Sequence, residues 1–128
     1  MRLLLDTHAF LWWLAGDENL STVSRAAIAD QGNEIFVSAA SAWEISTQFR
    51  LGKLPGVAAI VADIEAVIIE QGMTPLPIAM RHAQTAGSLP GPHRDPFDRM
   101  LMAQAMNDDM ALVSNEIVFD AYGVRRLW

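Results

Sequence analysis

The 128-residue chain contains no cysteine, and its only lysine is Lys53. The absence of cysteine excludes disulfide bonds and thiolate metal sites, and it fits a reducing cytoplasm. No apolar run approaches the roughly 18 residues that a membrane-spanning helix needs. The first residues also lack the basic flank and small-residue cleavage site of a signal peptide. The sequence therefore predicts a cytoplasmic protein with no membrane partner.

Several common catalytic motifs are also missing. The chain has no glycine-rich phosphate loop, no Gly-x-Ser-x-Gly elbow and no His-Glu-x-x-His pair. Its histidines are scattered at His8, His82 and His93, and we first interpret them as ordinary surface or loop residues. Phosphate-loop, serine-hydrolase and zinc-protease chemistries are not indicated.

The composition, with 52% hydrophobic and 19% charged residues, indicates one globular domain spanning 1–128. Short apolar runs alternate with helical patterns, which predicts an α/β fold. The fold class is a mainly parallel five-stranded sheet flanked by helices on both faces. The predicted strands are 2–5, 34–37, 73–76, 109–113 and 124–128. The predicted helices are 8–15, 22–31, 38–51, 60–70, 77–86, 96–105 and 114–122.

The first predicted helix contains two adjacent tryptophans. Phe10 and Leu14 share one face of this helix, flanked by Leu11 and Trp13, so Trp12 is predicted to point the opposite way. An outward-facing tryptophan on a capped surface helix indicates a protein contact. The alternative is an isolated exposed side chain.

The stretch 93–105 leads from a loop into a helix. Asp95 is a suitable N-cap, and Pro96 fits the first helical turn. Asp98 follows in that turn, where a carboxylate meets the positive end of the helix dipole and can bond back to the cap backbone. His93 and Arg94 lead into Asp98 and are candidates for contact with a phosphate. The same role is less strongly indicated for Arg81 and Arg99.

Other acidic residues also lie where a strand ends or a helix begins. Asp6 follows the run Leu3–Leu5, and Glu44 and Glu116 lie near the starts of later helices. Each has a purely structural alternative as a cap, a dipole partner or a solvated charge, and Ser41-x-x-Glu44 matches a capping box. Strand ends share one edge of an open α/β sheet, however, and ligands bind there. We therefore expect the four carboxylates to meet.

Such a cluster favours a hard divalent cation. Two unit charges about 4 Å apart repel by about 4 kcal/mol at an effective dielectric of 20, so converging carboxylates need a cation or raised pKa values. Oxygen ligands without cysteine suit Mg²⁺ or Mn²⁺ rather than zinc. A water bound to such ions attacks a phosphodiester in line. The net charge of −6 argues against loose, charge-driven nucleic-acid binding, but it leaves a metal-dependent nuclease open.

The chain resembles PIN-domain proteins of the VapC toxin type. The resemblance covers nearly the whole chain, in order. It is carried by residues 4–8, 41–45, 51–54, 95–105 and 122–128. Its specific parts are Asp95-Pro96-Phe97-Asp98-Arg99 and the Trp43-Glu44 block, whereas Asp6-Thr7-His8 alone would be weak.

The resemblance implies a PIN fold and a Mg²⁺- or Mn²⁺-dependent endoribonuclease, the toxin of a toxin–antitoxin pair. It also implies a cognate antitoxin and a homodimer. By position, the catalytic metal ligands are Asp6, Glu44 and Asp98. Glu116 stands where the family often has an aspartate, and Ser114 replaces a threonine. This departure leaves a second metal ion open.

Two other interpretations compete with the enzyme. A PIN module with weakened catalysis acting through protein binding is suggested by Glu116 and Trp12. A phospho-acceptor receiver domain is less favoured, because it needs paired acids after the first strand and a late lysine.

Overall fold

The computed structural model describes residues 1–128 and contains one five-stranded sheet. All neighbouring strands are parallel, in the order β3-β2-β1-β4-β5. The predicted α/β architecture is therefore confirmed. The strands are β1 (Arg2–Leu5), β2 (Glu34–Ser38), β3 (Thr74–Leu76), β4 (Ala111–Val113) and β5 (Arg126–Leu127).

Seven α-helices and one 3₁₀ helix connect these strands. None of them is both long and apolar enough to cross a membrane. The α-helices are α1 (Thr7–Ala15), α2 (Thr22–Ala29), α3 (Ala39–Arg50), α4 (Ala58–Val61), α5 (Ile64–Glu70), α6 (Met80–Ser88) and α7 (Pro96–Asn107); the 3₁₀ helix is Ile117–Tyr122.

The central strand β1 separates two hydrophobic cores. Leu3 and Leu5 point into one core, whereas Leu4 points into the other, as the two-residue period of a strand requires. All three side chains are fully buried. Burying a leucine contributes about 2 kcal/mol or more, so β1 anchors both faces. Helices cover both faces of the sheet, as predicted.

Three of the predicted helices differ from the structure by more than two residues at an end, or in number or type of helix. The predicted helix 60–70 is two helices, because Asp63 starts a new one by accepting a hydrogen bond from the backbone N–H of Ala66. The helix predicted from Pro77 begins only at Met80, and the helix predicted over 114–122 is a 3₁₀ helix from Ile117. The strand bounds differ from the predicted ones by at most two residues at an end.

Two side chains lie where the sequence does not predict them. Trp12 is half-buried rather than outward-facing, because its ring packs 5.9 Å from that of Trp128 at the other end of the chain. His82 is 1% exposed and is a core residue rather than a surface one. Both predictions are wrong because the contacts involved join distant parts of the sequence.

Parallel pairing brings the carboxyl ends of β1, β2 and β4 to one edge. Asp6 follows β1, Ser38 ends β2 and Ser114 follows β4. The backbone N–H of Asp6 donates to the carbonyl of Val113 at 3.0 Å, which fixes the exits of β1 and β4 side by side. This edge carries the candidate site.

Candidate metal centre

Asp6 lies at the junction of β1 and α1. Its carboxylate accepts a hydrogen bond from the backbone N–H of Ala9 at 2.8 Å and so caps α1. Only 5% of the residue is exposed. Burial raises the pKa of Asp6, and nearby Asp98 raises it further, whereas the Ser114 hydroxyl opposes the rise. Asp6 is thus both a helix cap and a buried acid beside a second carboxylate.

Glu44 lies in the second turn of α3. The helix is capped by Ser38, whose hydroxyl accepts from the N–H of Ala40 at 2.9 Å, so Ser41 and Glu44 do not form a capping box. The Thr7 hydroxyl donates to Ser41 at 3.0 Å and draws this face of α3 towards the start of α1. Burial raises the pKa of Glu44, and the charges of Asp95 and Asp98 add to the rise.

Asp98 lies in the first turn of α7. Asp95 caps this helix by accepting from the N–H groups of Phe97 and Asp98, so Asp98 itself is not needed as a cap. The Asp98 carboxylate contacts the Nε2 atom of His93 at 2.8 Å instead of bonding back to the cap backbone. Burial raises the pKa of Asp98, and the charges of Asp95 and Glu116 raise it further, although the His93 bond opposes the rise.

Glu116 lies on the loop after β4 and is exposed. Its backbone N–H donates to the Ser114 hydroxyl at 3.0 Å, and its side chain does not cap the following 3₁₀ helix. Its charge reaches Asp98 but it is not buried with the other acids. Glu116 therefore lies at the rim of the site rather than in it.

The four carboxylates thus come from four separate segments and influence one another at one edge of the sheet. As the side chains stand, no three His, Asp or Glu groups form a closed set of metal ligands. Mg²⁺ in proteins commonly takes one or two carboxylates and keeps several waters, so it does not require a closed protein cage. The residues fit such an ion because repulsion between partly buried carboxylates is what a cation relieves.

The loop before α7 is held in place by two side chains. Arg99 donates to the carbonyl oxygens of Ala86, Leu89 and His93. The hydroxyl of Tyr122 accepts from the N–H of His93 at 2.8 Å. His93 therefore reaches Asp98 from a fixed backbone.

The structure shows which of the arginines predicted to contact a phosphate are already bound within the fold. Arg99 is a weak candidate by sequence, and in the structure its guanidinium is engaged with the loop. Arg81 is paired with Asp108 at 2.8 Å. Arg94 is exposed, and no residue pairs with it in an ion pair.

Several residues that shape the site are not predicted from the sequence. Asp95 is predicted only as a cap, yet its charge acts on Glu44 and Asp98. The Thr7 hydroxyl acts to lower the pKa of Glu44, and the Ser114 hydroxyl acts to lower that of Asp6. The charge of His8 acts in the same direction on both acids. Each is a helix cap or lies within three residues of a strand end, which is the signal that could have found it.

Comparisons with known proteins show the family and the fold. The sequence model of the PIN domain matches residues 3–124. The chain is 41% identical over 63 residues to the ribonuclease VapC16 of Mycobacterium tuberculosis (strain ATCC 25618 / H37Rv), a match that covers 49% of this chain and 43% of VapC16. It is 29% identical to the ribonuclease VapC22 of the same organism over 116 residues, covering 88% and 85% of the two chains.

A solved structure of VapBC2 from Rickettsia felis, bound to a DNA fragment from their promoter, has the same fold. The TM-score is 0.72 at 13% identity, covering 99% of this chain and 98% of that one. The match to VapC16 spans less than half of that relative's length, whereas the PIN domain match spans nearly all of the present chain. The chain belongs to the PIN domain family.

Proposed function

We propose that this chain is a Mg²⁺- or Mn²⁺-dependent endoribonuclease, the toxin of a toxin–antitoxin pair. The observation that carries the proposal is the set Asp6, Glu44 and Asp98. These acids come from three elements, and burial together with mutual repulsion raises the pKa of each. The relatives named as ribonucleases support RNA as the substrate.

Each side chain has a defined part in the proposed mechanism. Asp6, Glu44 and Asp98 would hold the ion, and Glu116 at the rim would complete its water shell. When bound, the ion supplies a water acidic enough to attack a phosphodiester and stabilises the oxygen that leaves. His93 orients Asp98 through the 2.8 Å contact, and the hydroxyls of Ser114 and Thr7 oppose part of the rise that burial causes in the pKa values of Asp6 and Glu44.

The proposed partners are RNA, a cognate antitoxin and a second copy of the chain. The VapBC2 structure supports the antitoxin, since its name joins a toxin and an antitoxin. An antitoxin that covers the acidic edge would block RNA and the ion together.

The deciding variant is Asp6→Asn, because asparagine keeps the N-cap and removes only the charge. We expect RNA cleavage by the purified protein to fall at least about a hundredfold, as for the loss of one strong catalytic electrostatic contact. Binding of Mn²⁺ at 100 times its Kd should stabilise the wild-type fold by about 2.7 kcal/mol, and this thermal shift should vanish in the variant.

The matched control is Asp63→Asn. Asp63 caps α5 by accepting from Ala66 at 3.0 Å, just as Asp6 caps α1, but it lies on the exposed surface. We expect this variant to keep both cleavage and the Mn²⁺ shift. Full metal-dependent cleavage by Asp6→Asn would overturn the proposal. The absence of saturable Mn²⁺ binding in calorimetry would instead favour the non-catalytic, protein-binding module.

The metal-free protein offers a further check. Raised pKa values mean that the folded state binds more protons than the unfolded state between about pH 4 and the raised values. Stability without metal therefore falls as pH rises through this window. At pH 7, Asp6→Asn should consequently be more stable than the wild type in EDTA and less stable than it in excess Mn²⁺, which thermal unfolding measures directly.

A further inference from the structure

An aromatic pair lies next to the acidic centre. Trp43 precedes Glu44 on α3, and Phe97 precedes Asp98 on α7. The two rings meet edge to face, with their centroids 4.8 Å apart. Trp43 is nevertheless 60% exposed, although a ring of this size is usually buried. Consecutive side chains of a helix diverge by about 100°, so Trp43 stands beside the carboxylate site rather than inside it.

This pair forms one wall of a groove of about 220 Å³. The groove lies between α3, α6 and α7, and its lining is mainly apolar. Arg99 is the only charged residue that lines it, and the Arg99 guanidinium is engaged with backbone carbonyls. The groove therefore offers nothing to pair with a charged ligand group, whereas it suits a flat, uncharged ring.

The chain has few cations with which to hold a polyanion. Three cationic side chains, Arg50, Lys53 and Arg94, are exposed and form neither an ion pair nor a hydrogen bond within the chain. The remaining arginines all donate to groups of the chain itself: Arg2, Arg25, Arg81, Arg99, Arg125 and Arg126. Phosphate neutralisation alone is thus a weak source of affinity for RNA.

We propose that Trp43, supported by Phe97, is the platform on which one base of a single-stranded RNA stacks. This rests on the proposed function, because the phosphate next to that base would lie at Asp6, Glu44 and Asp98. Single-stranded nucleic acids are held by such stacking without regard to sequence, since every base has a flat π-face. The exposed Trp43 ring, its neutral groove and the shortage of free cations all favour a base over a phosphate or a charged peptide.

The test is a thermodynamic cycle that combines one substitution in the protein with one change in the RNA. Every protein carries Asp6→Asn, so that the RNA stays intact. The ligands are a fluorescein-labelled RNA hexamer and the same hexamer without its bases, measured by anisotropy. Trp43→Ala should weaken binding of the intact hexamer by about 5- to 150-fold, the range for one lost stack. It should leave binding of the base-free hexamer unchanged, and Trp43→Phe should retain most of the affinity.

Ile69→Ala is the matched control, since Ile69 is also 60% exposed but lies on α5, outside the groove. Its RNA affinity should equal that of the parent. Equal losses for both hexamers, or no loss for either, would overturn the platform, as would undetectable binding of the intact hexamer. If Trp43→Ala weakened binding of the antitoxin and left RNA affinity unchanged, the groove would be a protein-binding site and the platform would be overturned.

The proposed nuclease function and the stacking platform are tested by different measurements. It is judged by cleavage with and without Mn²⁺ in the chain that retains Asp6, whereas the platform is judged by binding without cleavage. A wild-type protein that cleaves RNA while the cycle shows no coupling would retain the nuclease and remove the platform.

Discussion

Gly91 is the residue whose backbone the site loop depends on most. Its φ of +117° is open to glycine and strained for other residues. A Cβ atom at this position would lie 2.5 Å from the hydroxyl oxygen of Tyr122 and 2.7 Å from two ring carbons. The same hydroxyl accepts the N–H of His93, so any displacement of Tyr122 would also release the loop that presents His93 to Asp98.

We therefore expect Gly91→Ala to lower the free energy of unfolding by about 2 kcal/mol or more, through a clash and a strained φ. Denaturant unfolding measures this loss. Gly87→Ala is the control, because Gly87 lies within α6 and an added methyl group there would have no atom within 4 Å to clash with. That change should stabilise the fold by up to about 1 kcal/mol through helix propensity. Equal stabilities for the two variants would contradict the packing of Gly91 on Tyr122.

Local sequence rules locate the caps but cannot rank their uses. They predict Asp95 as the cap of α7 and place Asp98 in its first turn; the structure confirms the cap, and Asp98 contacts His93 instead of the cap backbone. At Asp6 the cap and the acid are one side chain. The assignment of Asp6 and Asp98 as metal ligands stays a prediction, because spacing along the chain does not report the distances between carboxylates.

At the scale of elements, α6 and α7 are joined by a polar cluster at the end opposite the acidic site. Asp108, which ends α7, accepts from Arg81 at 2.8 Å and contacts the Nε2 atom of His82 at 3.1 Å. The Nδ1 atom of His82 accepts from the N–H of Ala79 at 2.9 Å, so Nε2 carries the proton and donates. The cluster fixes the start of α6 against the end of α7.

Asp108→Asn should lower the free energy of unfolding by about 2 kcal/mol at pH 7, the usual contribution of hydrogen bonds to a charged group. Burial raises the pKa of Asp108, but the bonds from Arg81 and His82 outweigh it and hold the pKa below its usual range. The carboxylate's contribution is therefore complete above the unfolded pKa of about 3.9 and is lost as pH falls through the lower folded value. The stability difference between wild type and variant should be constant from pH 5 to 7 and shrink below pH 4.

Asp109→Asn is a suitable comparison, since Asp109 pairs with Arg125 at 3.0 Å but its side chain is 94% exposed. Asparagine also tolerates the positive φ of Asp109. We expect the free energy of unfolding to change by less than about 0.5 kcal/mol, as for most exposed ion pairs. A larger loss of stability for Asp109→Asn than for Asp108→Asn would contradict the assignment of the main stabilising contact at this corner to Asp108.

The strands are easier to predict than the helices for a physical reason. β1, β2 and β4 are apolar runs buried on both faces, so composition alone marks them. The region 58–70 is apolar except for Asp63, Glu65 and Glu70, and this apolar pattern hides the break at Ala62-Asp63 between α4 and α5. The predictions for His82 and Trp12 fail because Asp108 and Trp128, which cover them, are distant in sequence.

At the scale of the whole molecule, the charge distribution sets how RNA would be held. The net charge is −6, and the cationic side chains with neither an ion pair nor a hydrogen bond within the chain are Arg50, Lys53 and Arg94. A single-stranded ligand that uses all of them would release few counterions. Affinity that relies on base stacking is less sensitive to salt than affinity that relies on phosphate contacts.

We expect log K for an RNA hexamer to fall with log [KCl] at a slope of about −2 or shallower, from about −0.7 per phosphate contact over three cations. Anisotropy between 50 and 200 mM salt, in the non-cleaving Asp6→Asn protein, measures it. Arg94→Gln should make the slope shallower by up to about 0.7, because this exposed side chain has no internal partner. Arg125→Gln should leave it unchanged, because Asp109 already neutralises that charge. A slope of about −4 or steeper would mean that arginines bound within the fold are released to the RNA, and the division between internal and free cations would then be wrong.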